Sequence, residues 1–240
     1  MSDGRARDRR GVLVAVVIGT ALIAASCGGD GGGGGGGGDA GQQELVGLFK
    51  VDPGECSGSE ISGSYFRMIQ SGGKLDGPFV TNGDSVCKDK SYTALSPGSD
   101  GGLITGELQG HPEPPMDEQG NGMADNVIQP QPWFAVAFAC TTNSPDMQSE
   151  EEVPAPTITF DGKGTLSGEI SAFSCAWNGQ FFNQGAPKPD GESPGLTSPV
   201  TGTYDPDSGK YTLEWTSTVV GGAFDKFTGV WHLEGTFEES

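Results

Sequence analysis

The sequence predicts an all-β domain over residues 44–240, built as a single antiparallel β-barrel or a strongly coiled β-sandwich with long loops. Three observations predict it. Beyond residue 27 no segment carries apolar residues at helical spacing. Residues 210–220 alternate, with Tyr211, Leu213, Trp215 and Val219 on one parity and Thr212, Glu214, Thr216 and Thr218 on the other, as a strand with one buried face does. Finally, a unit of apolar residue, Ser or Thr, Gly, any residue and apolar residue recurs at 61–65, 104–108, 166–170, 200–204 and 227–231. The two apolar residues and the Gly between them share one face of an extended chain. An inward Gly lets a bulky neighbour lie across it or lets the strand bend sharply, so the unit reads as a device of curved strands. Its spacing is irregular, which disfavours a propeller or solenoid.

The elements follow in chain order. Arg5, Arg7, Arg9 and Arg10 precede an apolar run at 11–25, and Ala24-Ala25-Ser26-Cys27 closes it, the layout of a cleaved export signal over residues 1–26. The run is short of the roughly twenty residues a spanning helix needs. The Arg9-Arg10 pair is also compatible with twin-arginine export. Residues 28–43 are mostly Gly, which loses most entropy on ordering, so 27–43 reads as a tether with a reach of about 20–25 Å. Strands are expected at 44–51, 61–69, 103–109, 133–142, 156–160 and 171–177. In 133–142, Phe134, Val136, Phe138 and Cys140 alternate with small residues, as in a strand covered on both faces. The turn residues Asp205-Pro206-Asp207-Ser208-Gly209 and Gly221-Gly222 divide 199–237 into a three-stranded meander. Three long loops remain, at 110–132, 143–155 and 179–199.

Charge and cysteines bound the setting. The full chain has a net charge of −19, and loss of residues 1–26 removes four Arg and two Asp, leaving nine basic and thirty acidic residues. Such a field repels nucleic acid and anionic membranes and makes both poor partners. With Cys27 set aside, Cys56, Cys87, Cys140 and Cys175 make an even number, expected as two disulfides in an oxidising compartment. Three pairings are possible. Strand neighbours tend to be close in sequence, which favours Cys56 with Cys87 and Cys140 with Cys175. There is no CxxC spacing and there are only two His, which argues against structural zinc.

Candidate sites are few. Asp117, Gln119, Asn121 and Asp125 fall at positions one, three, five and nine of a calcium-type loop, with Gly122 at the sixth and the Met123 carbonyl at the seventh. The twelfth position, normally acidic, is Ile128, so the alternative is a solvated turn and no cofactor at all. Trp177, Phe181 and Phe182 beside Asn178 and Gln180 suit a sugar-stacking platform, with core packing of Trp177 and Phe182 as the competing account. No nucleophile elbow, H-E-x-x-H or P-loop occurs. His232 lies on the outward parity of its strand and His111 in a Pro-rich loop. Acidic residues are so abundant that any one chosen carboxylate pair is uninformative.

Three resemblances add to this reading. The small-small-Cys ending resembles the bacterial lipobox, departing from it in having Ala24 three residues before Cys27; the likeness implies a lipidated Cys27 and a chain anchored to the bacterial membrane or cell surface. The Thr-Gly-x-aromatic strands look like those of avidin-like and calycin barrels, without implying their ligands. From Gly47 onward, SGSYFRMI, SPGSDGGLITGEL, WNGQFFNQGAPKPDG and YTLEWTSTVVGGAFDKFTGVWHLEGTF resemble secreted, β-rich bacterial proteins, which implies export and a shared β domain but no catalytic residues. The expectation is a surface lipoprotein whose β domain has a non-enzymatic binding or envelope-associated role. Its alternatives are a carbohydrate or small-ligand module and an extracellular hydrolase with a carboxylate pair.

Overall fold

The computed structural model describes residues 41–240. The signal segment, Cys27 and nearly all of the Gly-rich tether lie outside the described residues. The strands begin with β1 Gln43–Glu44, β2 Gly47–Val51, β3 Glu55–Ser57, β4 Glu60–Ser62, β5 Tyr65–Lys74 and β6 Gly77–Phe79. They continue with β7 Thr93–Ala94, β8 Gly102–Ile104, β9 Gln131–Trp133, β10 Val136–Thr142, β11 Thr157–Phe160 and β12 Thr165–Glu169. The last five are β13 Phe173–Trp177, β14 Gln180–Asn183, β15 Ser198–Tyr204, β16 Lys210–Thr218 and β17 Thr228–Glu239. No helix occurs among the described residues, and the all-β expectation holds.

Eleven strands form one antiparallel sheet in the order β1-β11-β12-β15-β16-β17-β2-β8, with β5 also on β17 and with β6 and β7 on β5. This sheet curls into a half-barrel. A second sheet, β14-β13-β10-β9, packs against its inner face. The alternation read from the sequence sets that inner face: Tyr211, Leu213 and Trp215 on β16 and Trp231 and Leu233 on β17 are all at most 2% exposed. Trp215 and Trp231 are register partners whose rings stack at 5.7 Å and 8°. Phe173 of β13 meets Trp231 edge-on at 5.0 Å, and Phe138 of β10 lies 5.5 Å from Phe66 of β5. Each buried indole removes about 200 Å² from water, about 5 kcal/mol of transfer free energy, so this aromatic layer is the main adhesive between the sheets.

Strand β17 is also where the half-barrel forks. One edge pairs with β16 over Thr228–Thr236; the other pairs with β5 over Thr228–His232 and with β2 over Gly235–Glu239. At the fork Glu234 has no register partner on this second edge. Fully buried Ser64 bonds to it instead: its hydroxyl accepts from the Glu234 amide at 3.1 Å and donates to the Glu234 carbonyl at 3.3 Å. The Asp52 amide donates to the same carbonyl. A serine side chain thus carries the hydrogen bonding across the gap between two diverging strands.

The meander at 199–237 is β15, β16 and β17, and both disulfides join the expected cysteines. Cys140 and Cys175 are register partners on β10 and β13; Cys56–Cys87 ties β3 to the segment before β7. Two disulfides are consistent with an oxidising, extracytoplasmic compartment.

Four expectations need correction. The stretch 133–142 is not one strand: Phe134 and Ala135 take left-handed φ of 51° and 63° and form a two-residue hairpin turn between β9 and β10. Neither residue type favours that conformation, and the Asp84 carboxylate holds it by accepting the Ala135 N–H at 2.6 Å. The stretch 179–199 is not all loop, since Asn178 and Gly179 make a second such turn, leading into β14. The repeated unit is a strand device at Gly168, Gly202 and Gly229 only; Gly63 and Gly106 have φ of 73° and 81° and sit in bends outside strands. Strand β8 stops at Ile104 and does not run to 109. The Gln109 side chain folds back instead, accepting the Ile104 N–H at 2.9 Å and donating to Gly102.

Candidate functional site

Three connections converge beside the inter-sheet core: the 134–135 turn, the 178–179 turn and the β16–β17 loop at 219–227. The two tight turns place Trp133 and Phe138 on one hairpin and Cys175, Trp177 and Phe182 on the other. The third connection brings in Phe224, whose ring lies 5.3 Å from Trp177, 5.9 Å from Phe182 and 6.5 Å from Phe134. Beneath Phe224 is a cavity of about 40 Å³ walled by eleven residues, ten of them apolar. The exception is Gln184. Its Oε1 accepts the Trp231 indole N–H at 3.1 Å and its carbonyl accepts that of Trp215 at 2.9 Å. Gly229 makes this possible, because a Cβ there would collide with the Gln184 amide.

The β16–β17 loop is lightly held to the rest of the molecule. Gln180 accepts the Ala223 N–H at 3.1 Å, and Gln148 donates to the Val220 carbonyl at 2.6 Å. Within the loop, Gly221 and Gly222 take φ of 76° and 68°, a conformation few other residues adopt. Phe134 and Val220 stand on the rim, 48% and 54% exposed.

The residues singled out as a sugar platform are therefore neighbours, but not an open face. Trp177 and Phe182 are wall residues of the cavity, 9% and 5% exposed. The Trp177 indole donates to the Trp133 carbonyl at 2.9 Å. Phe181 turns to the His111 ring at 5.8 Å, Asn178 is in the turn with its amide on the Gly120 carbonyl, and Gln180 holds the loop. Around Asp117 the geometry is that of a hydrogen-bonded turn. Asp117 Oδ1 accepts the amides of Gln119 and Asn121, Oδ2 accepts the Asn121 side chain, and Asn121 Oδ1 accepts the Ala137 amide. These bonds hold the Asp117 carboxyl below the usual carboxylate range, the Asn121 side chain first among them. Met123 is 48% exposed and Asp125 is at the surface, its carbonyl accepting from Ser99. Among the described residues no group of three His, Cys, Asp or Glu converges as a metal site.

Sequence reasoning missed a second, polar constellation. Lys188 is 5% exposed, and its Nζ donates to the Asn183 carbonyl at 2.8 Å and Ser217 Oγ at 2.6 Å. Burial pushes its pKa down to about 7 against the pull of Asp146 and Asp190. Asp146, 1% exposed, accepts from the Asn183 side chain, the Gln148 and Ser149 amides and the Ser149 hydroxyl. The network floors a cleft of about 430 Å³ with exposed Glu151, Asp190 and Glu192 at its edge. Its buried groups are engaged with one another, and they lock the loops at 143–153 and 184–196 onto β14 and β16. Nothing in a lone Lys and Asp forty residues apart marks such a network, whereas Asn178-Gly179 is a hairpin signal that locates β14.

The two histidines are placed differently from each other. His232 lies outward on β17, stacked on Tyr65 at 4.8 Å, with one ring nitrogen 2.8 Å from Glu214 and the other 3.2 Å from Glu234. His111 is half-buried with Nε2 at 3.3 Å from Ser174 Oγ, Nδ1 without a partner, and a pKa that burial lowers to about 4. A base held neutral without an orienting partner on its second nitrogen lacks the arrangement of a catalytic triad. No protein-family model, curated protein or solved structure matches this chain.

Proposed function

We propose that this chain is an extracytoplasmic, lipid-anchored β domain that binds a small, uncharged, largely apolar ligand and does no chemistry on it. The observation that carries the binding reading is the aromatic-walled cavity under Phe224, reached through a loop held to its surroundings by two side-chain hydrogen bonds. Concave, mostly apolar sites with few polar groups are the usual seats of small ligands. The acidic field of the molecule favours neutral over anionic ligands. The anchor rests on the signal layout, Cys27 and the Gly-rich tether, and two disulfides accord with export.

The test is thermal unfolding in the presence of two panels, one of soluble glycans and one of small apolar ring compounds. A ligand that binds only the folded state raises the midpoint by mass action. The expected result is a rise with ring compounds and none with glycans. A rise with glycans alone replaces this reading with the carbohydrate module, and no rise with either removes the binding reading.

A further inference from the structure

Resting on the small-ligand reading, a second observation narrows the ligand. The chain has four tryptophans. The indole N–H groups of Trp177, Trp215 and Trp231 each donate to an acceptor at 2.9–3.1 Å. That of Trp133, a wall residue of the same cavity and 2% exposed, has no acceptor. Buried indole donors are ordinarily paired, so an orphan beside an apolar cavity calls for a partner that the protein does not supply.

Backbone geometry fixes Trp133 in place. It is the last residue of β9, followed at once by the left-handed pair Phe134-Ala135 and the Asp84 bond that holds them. Strain of this kind persists where surrounding structure imposes it. Phe224 lines the same cavity from the loop with the two left-handed glycines. About 40 Å³ is too small for a ring, but withdrawal of Phe224 vacates the volume of one phenyl group beside it, the space a benzene-sized molecule needs.

We propose that the cavity receives a small ring compound bearing one acceptor oxygen, such as an aryl ketone, with Phe224 swinging out to admit the ring and the Trp133 indole donating to the oxygen. Gln184 takes no part in reading the oxygen, because its side-chain oxygen already accepts the Trp231 indole N–H and its side-chain N–H donates to the Asn183 carbonyl.

The experiment uses the full chain in lipid nanodiscs, labelled so that the four indole ¹H–¹⁵N signals are resolved, with acetophenone and ethylbenzene as probes. The two have the same ring and differ in the acceptor. The expected result is that acetophenone binds about tenfold tighter than ethylbenzene and moves the Trp133 signal downfield, as one added hydrogen bond implies. Trp133→Phe should abolish that preference while leaving ethylbenzene binding in place, and Phe224→Ala should strengthen both probes by removing the need to open. If both probes bind equally and the Trp133 signal does not move, the donor role is overturned while the small-ligand reading stands. If neither probe binds at millimolar concentration, even to Phe224→Ala, both are overturned.

Discussion

Lys188 shows what a single buried amine does to this domain. Its folded pKa is about 7 against an ordinary 10.5, so between these values the unfolded chain holds a proton that the folded chain lacks. Stability therefore rises with pH across that window; below pH 7 the cost of burying the charged amine is fully present. Urea midpoints at pH 7 and pH 9.5 should rise more in the native protein than in Lys188→Met, and equal rises would contradict the assignment. His111 acts in the same direction lower down: with its pKa depressed from 6.5 to about 4, it costs stability as pH falls through that interval. Asp117, Asp161 and Asp205, held low by turn hydrogen bonds, do the same below 3.8. Ser64 is the polar residue on which the sheet fork depends. Ser64→Ala strands the Glu234 amide at a buried position and should cost about 1–3 kcal/mol by denaturant unfolding. A loss under 0.5 kcal/mol would mean that water or Asp52 satisfies the fork instead.

Elements explain both what the sequence reveals and what it hides. Strands β16 and β17 are legible because a period of two with one buried face leaves a pattern that nothing else imitates, and the residues on that parity form the aromatic layer. The hairpin turn at Phe134-Ala135 is illegible because its residues look like more strand; only the Asp84 carboxylate, about fifty residues away in sequence, holds them left-handed. The cavity is hidden for a related reason. Its wall draws on β5, β9, β10, β13, β14 and β17 together with the loop bearing Phe224, so no short stretch contains it. Trp177 and Phe182 were visible as a pair of chemical interest, but whether they faced solvent or core depended on that loop. The Cys140–Cys175 bridge locks β10 to β13 across a 35-residue separation, on the sheet that forms one side of the cavity. Its loss through Cys140→Ala with Cys175→Ala should cost about 4 kcal/mol by the loop-entropy argument. The same double variant should also weaken probe binding, as a titration in the thermal-shift assay can check.

At the scale of the whole molecule, the structure is an acidic, disulfide-pinned half-barrel, and we propose that an export signal, a lipidated Cys27 and a Gly-rich tether hold it at a membrane surface. The fold class and cysteine pairing follow from local rules of alternation and proximity; the ligand seat emerges only when two sheets and three connections assemble. We propose an anchored, exported domain that carries a small neutral ligand, and one measurement reaches every part of that proposal: native mass spectrometry of the non-reduced protein extracted from its own membrane. The predicted spectrum shows a chain beginning at Cys27 with a diacylglyceryl group and four protons fewer than the free thiols require, together with a population carrying one small neutral adduct that departs on mild activation. A chain with no lipid, four free thiols and no adduct would contradict it.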